Sequence, residues 1–453
     1  MTSSTEHAFD VLFIGSGQAA WNAALPLTQA GKKVAIVERH KIAGVCTSYG
    51  CNPKIILDSP IKTIEDAQLY GEKGLESSFS LDWSKLMEHK NSILDPLPDF
   101  LGKMLNDAGV EIVHGEAKFE DARTVIVNGE RYTAEKFVVA AGQRPMLPEI
   151  PGSELLKTSD DFLYLPKLPK RIVLIGAGYV AMEIASIASK AGSEVEVVQN
   201  SDHVLSGFHQ PYAEALIEKM KGDGVAFHFE DKAVRLEQQG EEFVLFTEKG
   251  LSLKTDLVIN ATGRIPNTDG IGLEAAGVEY TEKGIVVDEY LRTSQPHIYA
   301  SGDVLDKKQP RLTPTSVFEA KYLGTLLSGM TDAPIDYPPI ATIAFTLPRI
   351  AQIGISPEEA KQSEGYKVKP VELGKQWDFA GRGDTDAHMT LVFDGEGLLV
   401  GASAYSREAL DVINALTPVI TLKLTAEQAD RLVYAFPSFE STIAGLLRQG
   451  QAE

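Results

Sequence analysis

The 453-residue chain has only two cysteines, three tryptophans, no run of eighteen apolar residues, and no histidine beyond His388. Two cysteines cannot build a disulfide framework. Cys46 and Cys51 lie five positions apart, and closing so short a loop stabilises by only about 2 kcal/mol. A chain this long buries several cores without such a staple, so the pair points to chemistry. No stretch is long enough to span a bilayer. The opening MTSSTEHAFDVLF has no basic n-region ahead of an apolar stretch, so a cleaved secretion signal is not expected. The chain reads as soluble and cytoplasmic. Positive charge is also scarce: 43 Lys and Arg against 63 Asp and Glu leave a net charge of −20. That field repels phosphate polymers, so nucleic acid is not an expected partner. No metal site is expected. Hydrophobic residues at 43% and charged residues at 23% are ordinary globular values and exclude disorder.

What is present starts with DVLFIGSGQAAWNAALPLTQAGKKVAIVE. Residues 9–14 form a continuous apolar run, as in a buried parallel strand. The triplet Gly15, Gly17 and Ala20 follows, then an alanine-rich helix ending at Gly31, then a strand over 34–37 closed by Glu38. The first glycine allows a tight turn, the second lets backbone approach a pyrophosphate, and the alanine lets helix and strand pack closely. The helix start offers free N–H groups and a positive dipole end to that pyrophosphate. Glu38 is placed to accept hydrogen bonds from a ribose diol. The design repeats at RIVLIGAGYVAMEIASIASKAGSEVEVVQ, with Gly176, Gly178 and Ala181 between strands at 171–175 and 195–198. The chain therefore has two dinucleotide sites. The second strand closes on Gln199, not an acid. An acid would disfavour a 2′-phosphate, whereas Gln199 neither repels nor attracts one, so NADH and NADPH both stay open.

VVAAGQRP (138–145) and VINATGRIPN (258–267) echo each other, each following an apolar strand. Gly302-Asp303 follows a strand over 298–301, placing a carboxylate where open α/β sheets bind ligands. Beyond Pro338-Pro339 the pattern becomes short alternating strands with two helices, an α+β region.

With these residues assembled, the chain resembles the class I pyridine nucleotide–disulfide oxidoreductases, the group of glutathione reductase, dihydrolipoamide dehydrogenase and mercuric reductase. The likeness runs over nearly the whole chain. It implies an α/β architecture of two Rossmann-like domains and a C-terminal dimerisation domain. The FAD domain would take 1–150, completed by 266–335; the NAD(P) domain would take 151–265 and the dimerisation domain 336–453. FAD would lie on the first fingerprint, with Asp303 at its ribitol–pyrophosphate region. NADH or NADPH would lie on the second, with Tyr179 gating the nicotinamide face and Glu183 nearby. Ala117, Gly142, Gly263 and Arg264 complete the implied cofactor-binding set. The chain would work as a homodimer on a small-molecule acceptor.

The segment Gly44-Val45-Cys46-Thr47-Ser48-Tyr49-Gly50-Cys51-Asn52-Pro53-Lys54 is similar to the family's G-T-C-x-x-x-G-C-x-P-S-K. By that likeness electrons pass from NAD(P)H to FAD, to a Cys46–Cys51 disulfide, and on to an acceptor. Cys51 would be the flavin-side sulfur, at the start of a helix over 53–57 whose dipole stabilises a thiolate. Cys46 would be the outward thiol. Two positions depart from the pattern. Phe436 stands where the family carries an acid–base histidine, with Ser441 at the usual glutamate position. Ile55 stands for a lysine that pairs with the glutamate matched by Glu183, leaving Glu183 unpaired or reached by Lys54. Three functions follow: an NAD(P)H reductase of an unusual small disulfide, a reductase of a metal ion, quinone or other non-disulfide, or a flavoprotein redox sensor with little turnover.

Overall fold

Runs that are apolar on both faces need cover on both sides, and alanine-rich helices between them supply it. The computed structural model describes residues 6–76 and 78–451, so the first five residues of the N-terminal stretch lie outside it. Two compact units result, and both are α/β.

The first unit gathers residues 1–56, 85–146 and 263–337. Its seven-stranded sheet runs 110–114, 34–38, 6–14, 130–139, and then antiparallel through 124–127 to 118–121. Strand 298–300 pairs in parallel with the C-terminal half of 130–139. Residues 302–303 therefore emerge at the same sheet end as the turn after Ile14, since 6–14 also pairs in parallel with 130–139. The helices Gln18–Gln29 and Thr313–Leu327 pack closely: a side chain on Gly324 would meet Pro26 Cγ at 2.9 Å. The two echoed segments meet directly, because strand 143–145 pairs antiparallel with 264–266.

The second unit gathers 57–84, 147–262 and 338–453. A parallel sheet runs 226–228, 194–198, 171–175, 257–260, beside a three-stranded meander over 233–255. The C-terminal portion is a five-stranded antiparallel sheet, in the order 342–344, 349–354, 399–406, 388–393, 367–371. The expectation of two helices there is corrected to five α-helices among the described residues: Pro357–Gln362, Trp377–Gly381, Ala409–Thr421, Ala426–Ala429 and Ile443–Gln451. Several are one or two turns long, too short to show a periodicity. Capping boxes hold two of them in place, Ser356 with Glu359 and Thr425 with Gln428.

A half-buried ion network ties this unit together. Lys190 Nζ lies 2.7 Å from Glu65 and 2.9 Å from Asp223. Arg407 reaches Asp66 at 2.9 Å and Glu65 at 3.4 Å, and Lys62 bridges Asp66 and Glu408. Arg407 and Glu65 are 7% and 8% exposed, and on removal of Arg407 the carboxylates of Glu65 and Asp66 keep Lys190 and Lys62. Arg407→Met is expected to lower unfolding stability by about 1.5–3 kcal/mol in a urea titration, the worth of its charged hydrogen bonds. Asp66→Asn, whose side chain is 36% exposed, should cost under about 1 kcal/mol. Equal losses in both variants would refute this ranking.

Candidate active site

The cysteines are brought together by two tight backbone features. Ala43 and Gly44 take left-handed conformations, φ 74° and 69°. A side chain on Gly44 would sit 2.8 Å from Gly17 Cα, so the cysteine loop lies directly on the first glycine turn. Cys46 sits in the short helix Gly44–Ser48, and Cys51 opens the helix Cys51–Gln68. That helix extends well past the 53–57 expected, passing through Pro60. Both sulfurs are thiols, Cys46 half-buried and Cys51 exposed.

Three groups share one proton economy here. Cys46 donates a hydrogen bond to Cys51, holding Cys51 down to about 6, and the Thr313 hydroxyl and the Lys54 charge act in the same direction against burial. The same hydrogen bond, with burial and the neighbouring thiolate charge, pushes the Cys46 thiol well up. The Thr313 Oγ1 lies 3.4 Å from Cys51 Sγ. Thr313 begins a 15-residue helix, so a second set of free N–H groups starts beside the sulfur. Sequence reasoning passed over Thr313, although Thr313-Pro314 is a helix-start signal.

Gly15 (φ 101°) is obligatory, because a side chain there would collide with the Ala140 carbonyl oxygen. The helix at Gln18 begins on Gly17 with no side-chain cap, and Ala20 is fully buried. Glu38 is 8% exposed and already engaged. Its Oε2 accepts from Ser16 N at 2.9 Å and Ser16 Oγ at 2.6 Å, and its Oε1 accepts from His40 N at 2.8 Å. Ser16 Oγ in turn accepts from Ala43 N at 3.0 Å. The acid at the strand end thus also fastens the cysteine loop to the glycine turn, a role the motif does not announce.

Gly302 (φ 82°) packs on Ala19 and donates its N–H to Glu319 Oε2 at 2.6 Å. Glu319 is fully buried and also receives Lys307 Nζ and Tyr337 OH. Next to it, the buried Asp303 Oδ1 has no hydrogen-bond partner. Burial raises the Asp303 carboxyl, against the pull of Lys307, Arg264 and Arg311. An orphaned carboxylate oxygen, an uncapped helix start and a backbone stripped of side chains fit the hydroxyls and pyrophosphate of a flavin dinucleotide. Ala117 is 7% exposed in the same core. Gly142 accepts from Asn267 N at 2.9 Å, and Arg264 donates to Gln143 O at 2.9 Å, so Gly142, Gly263 and Arg264 line the paired echo strands.

The second unit repeats the turn. A side chain on Gly176 (φ 98°) would meet the Ala261 carbonyl oxygen at 2.6 Å. Gly178 starts the helix Tyr179–Lys190 with no side-chain cap. Tyr179 is exposed and Ala181 fully buried, and Gln199 follows strand 194–198. The fit to a second dinucleotide rests on the same geometry as the first. Glu183 is buried, and its Oε1 accepts the Phe345 N–H at 2.8 Å. Phe436 is 77% exposed, its ring 6.3 Å from that of Trp377, itself 66% exposed. Trp377 carried no sequence signal. Among the described residues no His, Cys, Asp and Glu cluster has the form of a metal site.

The family model for pyridine nucleotide-disulphide oxidoreductases matches residues 9–320, and that for the dimerisation domain of the same family matches 340–446. Dihydrolipoyl dehydrogenase of Bacillus subtilis is 32% identical, covering 95% of this chain and 93% of its own length. Glutathione reductase of Burkholderia cepacia is 31% identical, covering 96% and 97%. Mercuric reductase of Staphylococcus aureus is 32% identical, covering 92% and 78%.

In the reduced protein, alkylation of Cys51 by iodoacetamide is expected to reach half its maximal rate near a pH of about 6. The rate falls below that pH as the thiolate takes its proton. Thr313→Val should move the midpoint upward, and Thr313→Ser should restore it. A midpoint near the ordinary thiol value of about 8.5 would show that the cluster does not hold a thiolate.

Proposed function

The chain belongs to the pyridine nucleotide-disulphide oxidoreductase family, and on that premise we propose that it reduces a small disulfide through Cys46 and Cys51. It is an FAD-dependent NAD(P)H oxidoreductase with a C-terminal dimerisation domain. Bound FAD supplies the transfer of a hydride-derived electron pair from NAD(P)H toward sulfur. The observation that carries the reading is the Cys46–Cys51–Thr313 cluster, with its asymmetric pair of thiols.

When the Cys46–Cys51 bond receives the electron pair it breaks, leaving Cys51 as thiolate and, with one proton, Cys46 as thiol. Thr313 and the two helix starts stabilise the charge on Cys51. Cys46 then attacks the acceptor disulfide as its proton passes to Cys51. A mixed disulfide forms at Cys46, and one acceptor thiolate leaves. That thiolate takes the proton from Cys51, which attacks Cys46 and expels the second thiolate. Solvent protonates this last thiolate. With Phe436 in place of a base, the proton circulates only between the two sulfurs and the leaving group. Acceptors with acidic thiols suit such a site, because they leave without help.

In our reading, Gly15, Gly17, Ala20, Glu38, Ala117, Gly142, Gly302 and Asp303 hold FAD. Gly176, Gly178, Tyr179, Ala181, Glu183, Gln199, Gly263 and Arg264 serve the nicotinamide nucleotide. Work in the cytoplasm as a homodimer is part of the same proposal. Among the described residues no helix is long and apolar enough to cross a membrane. A second reading, transfer to an apolar non-disulfide acceptor such as a quinone, is favoured by the exposed Trp377–Phe436 pair.

Anaerobic reduction with NADH or NADPH is expected to give a thiolate–flavin charge-transfer band that vanishes in Cys51→Ser and is discharged by a disulfide. Phe436→His should speed turnover of ordinary disulfides by up to about 10²–10⁴-fold, the usual worth of general acid–base help. Acceptor turnover that persists in both Cys46→Ser and Cys51→Ser would replace this reading with the second.

A further inference from the structure

Gln199 stands where the first fingerprint has its acid, and its surroundings decide what its side chain presents. Its backbone is held from both sides, N–H to His228 O at 2.9 Å and C=O from Asp231 N at 3.0 Å. Its Nε2 donates to Ser201 Oγ at 2.7 Å and to the His203 carbonyl oxygen at 3.2 Å. A carbonyl oxygen only accepts, so the nitrogen must point inward to this turn. The Ser201 hydroxyl also donates to His203 O, at 3.2 Å, and is thereby free to accept from Gln199. The atom left for a ligand at the strand end is Oε1, an acceptor.

The charge around it has the same sense. Residues 199–208, QNSDHVLSGF, contain no lysine or arginine. Asp202 is 81% exposed and pairs with the one basic ring of the turn, His203 Nδ1, at 2.8 Å. That contact holds the Asp202 carboxyl below its usual range. On the facing turn, Glu230 donates its backbone N–H to Ser201 O and keeps its side chain exposed. Lys249 lies 4.0 Å from Glu230 and donates to Phe229 O, so its charge is committed there. A ribose 2′-hydroxyl is a donor and suits Oε1. A 2′-phosphate near pH 7 carries close to two negative charges and only accepts. It would meet an acceptor and an exposed carboxylate.

We infer that the second dinucleotide site selects NADH over NADPH, with Gln199 Oε1 and Asp202 as the determinants. The inference rests on the reading of residues 176–203 as the nicotinamide-nucleotide site. Calorimetric titration of the FAD-loaded protein with NAD⁺ and with NADP⁺ tests it, as does the rate of anaerobic reduction by NADH and by NADPH. Both nucleotides are measured on one preparation, so partial misfolding scales the two alike. NAD⁺ should bind at least about tenfold more tightly, with NADH the faster reductant by a similar factor. Gln199→Glu should keep or widen that ratio. Gln199→Arg with Asp202→Asn should narrow it at least about tenfold. Equal or tighter binding of NADP⁺ by the unaltered protein would overturn the inference, as would a ratio that the double variant leaves unchanged. If neither nucleotide binds, the site reading itself has failed, and the inference falls with it.

Discussion

One sulfur atom organises the first unit. Cys51 Sγ faces the start of its own helix, the hydroxyl that opens the helix at Thr313, and the thiol of Cys46. Each of these lowers the energy of negative charge on that sulfur. None works unless the loop from Ala43 to Cys51 lies flat against the glycine turn. That placement depends on the absence of a side chain at Gly44, which would meet Gly17 Cα at 2.8 Å, and on the bonds linking Ala43, Ser16 and Glu38. The redox pair and the dinucleotide turn are thus one construction. Glu319 does a parallel service on the other side of the turn, gripping Gly302 so that Asp303 keeps an open oxygen.

The chain uses the same βαβ turn twice but finishes the two strands differently. Glu38 presents charge and spends it on Ser16 and His40. Gln199 presents an amide whose donor end is taken up by Ser201 and His203. A charged acceptor and a neutral one both suit a hydroxyl. The neutral one is less repulsive to anions, so the exposed carboxylate of Asp202 bears on the outcome as much as Gln199 does.

In our reading, Phe436 in place of a histidine changes the chemistry more than the architecture. The sheet 342–406 and its helices form a complete core in which Phe436 takes no part, since its ring is exposed against Trp377. The C-terminal portion packs without Phe436, whose ring lies exposed outside its core. What remains for proton handling is the unequal pair of thiols, which suits leaving groups that need no proton.

Both fingerprints, the cysteine pair and Gly302-Asp303 were legible in the sequence by itself. Each depends on residue types at short, fixed spacing, where local geometry admits few alternatives. The strands at 34–38, 171–175 and 194–198 were legible to within one residue as continuous apolar runs, whereas the first strand begins at 6 and not at 9. The tertiary structure alone decided that Thr313 lies against Cys51, 262 positions away in the chain, and that the two echoed segments pair with each other. It also decided which end of the Gln199 amide points outward, and that Glu183 accepts a backbone N–H from Phe345. The short C-terminal helices leave no mark in the sequence because one or two turns show no period. The physical reason is common to all of these: contacts between distant segments follow from how sheets and helices stack, and no local pattern of residues records that.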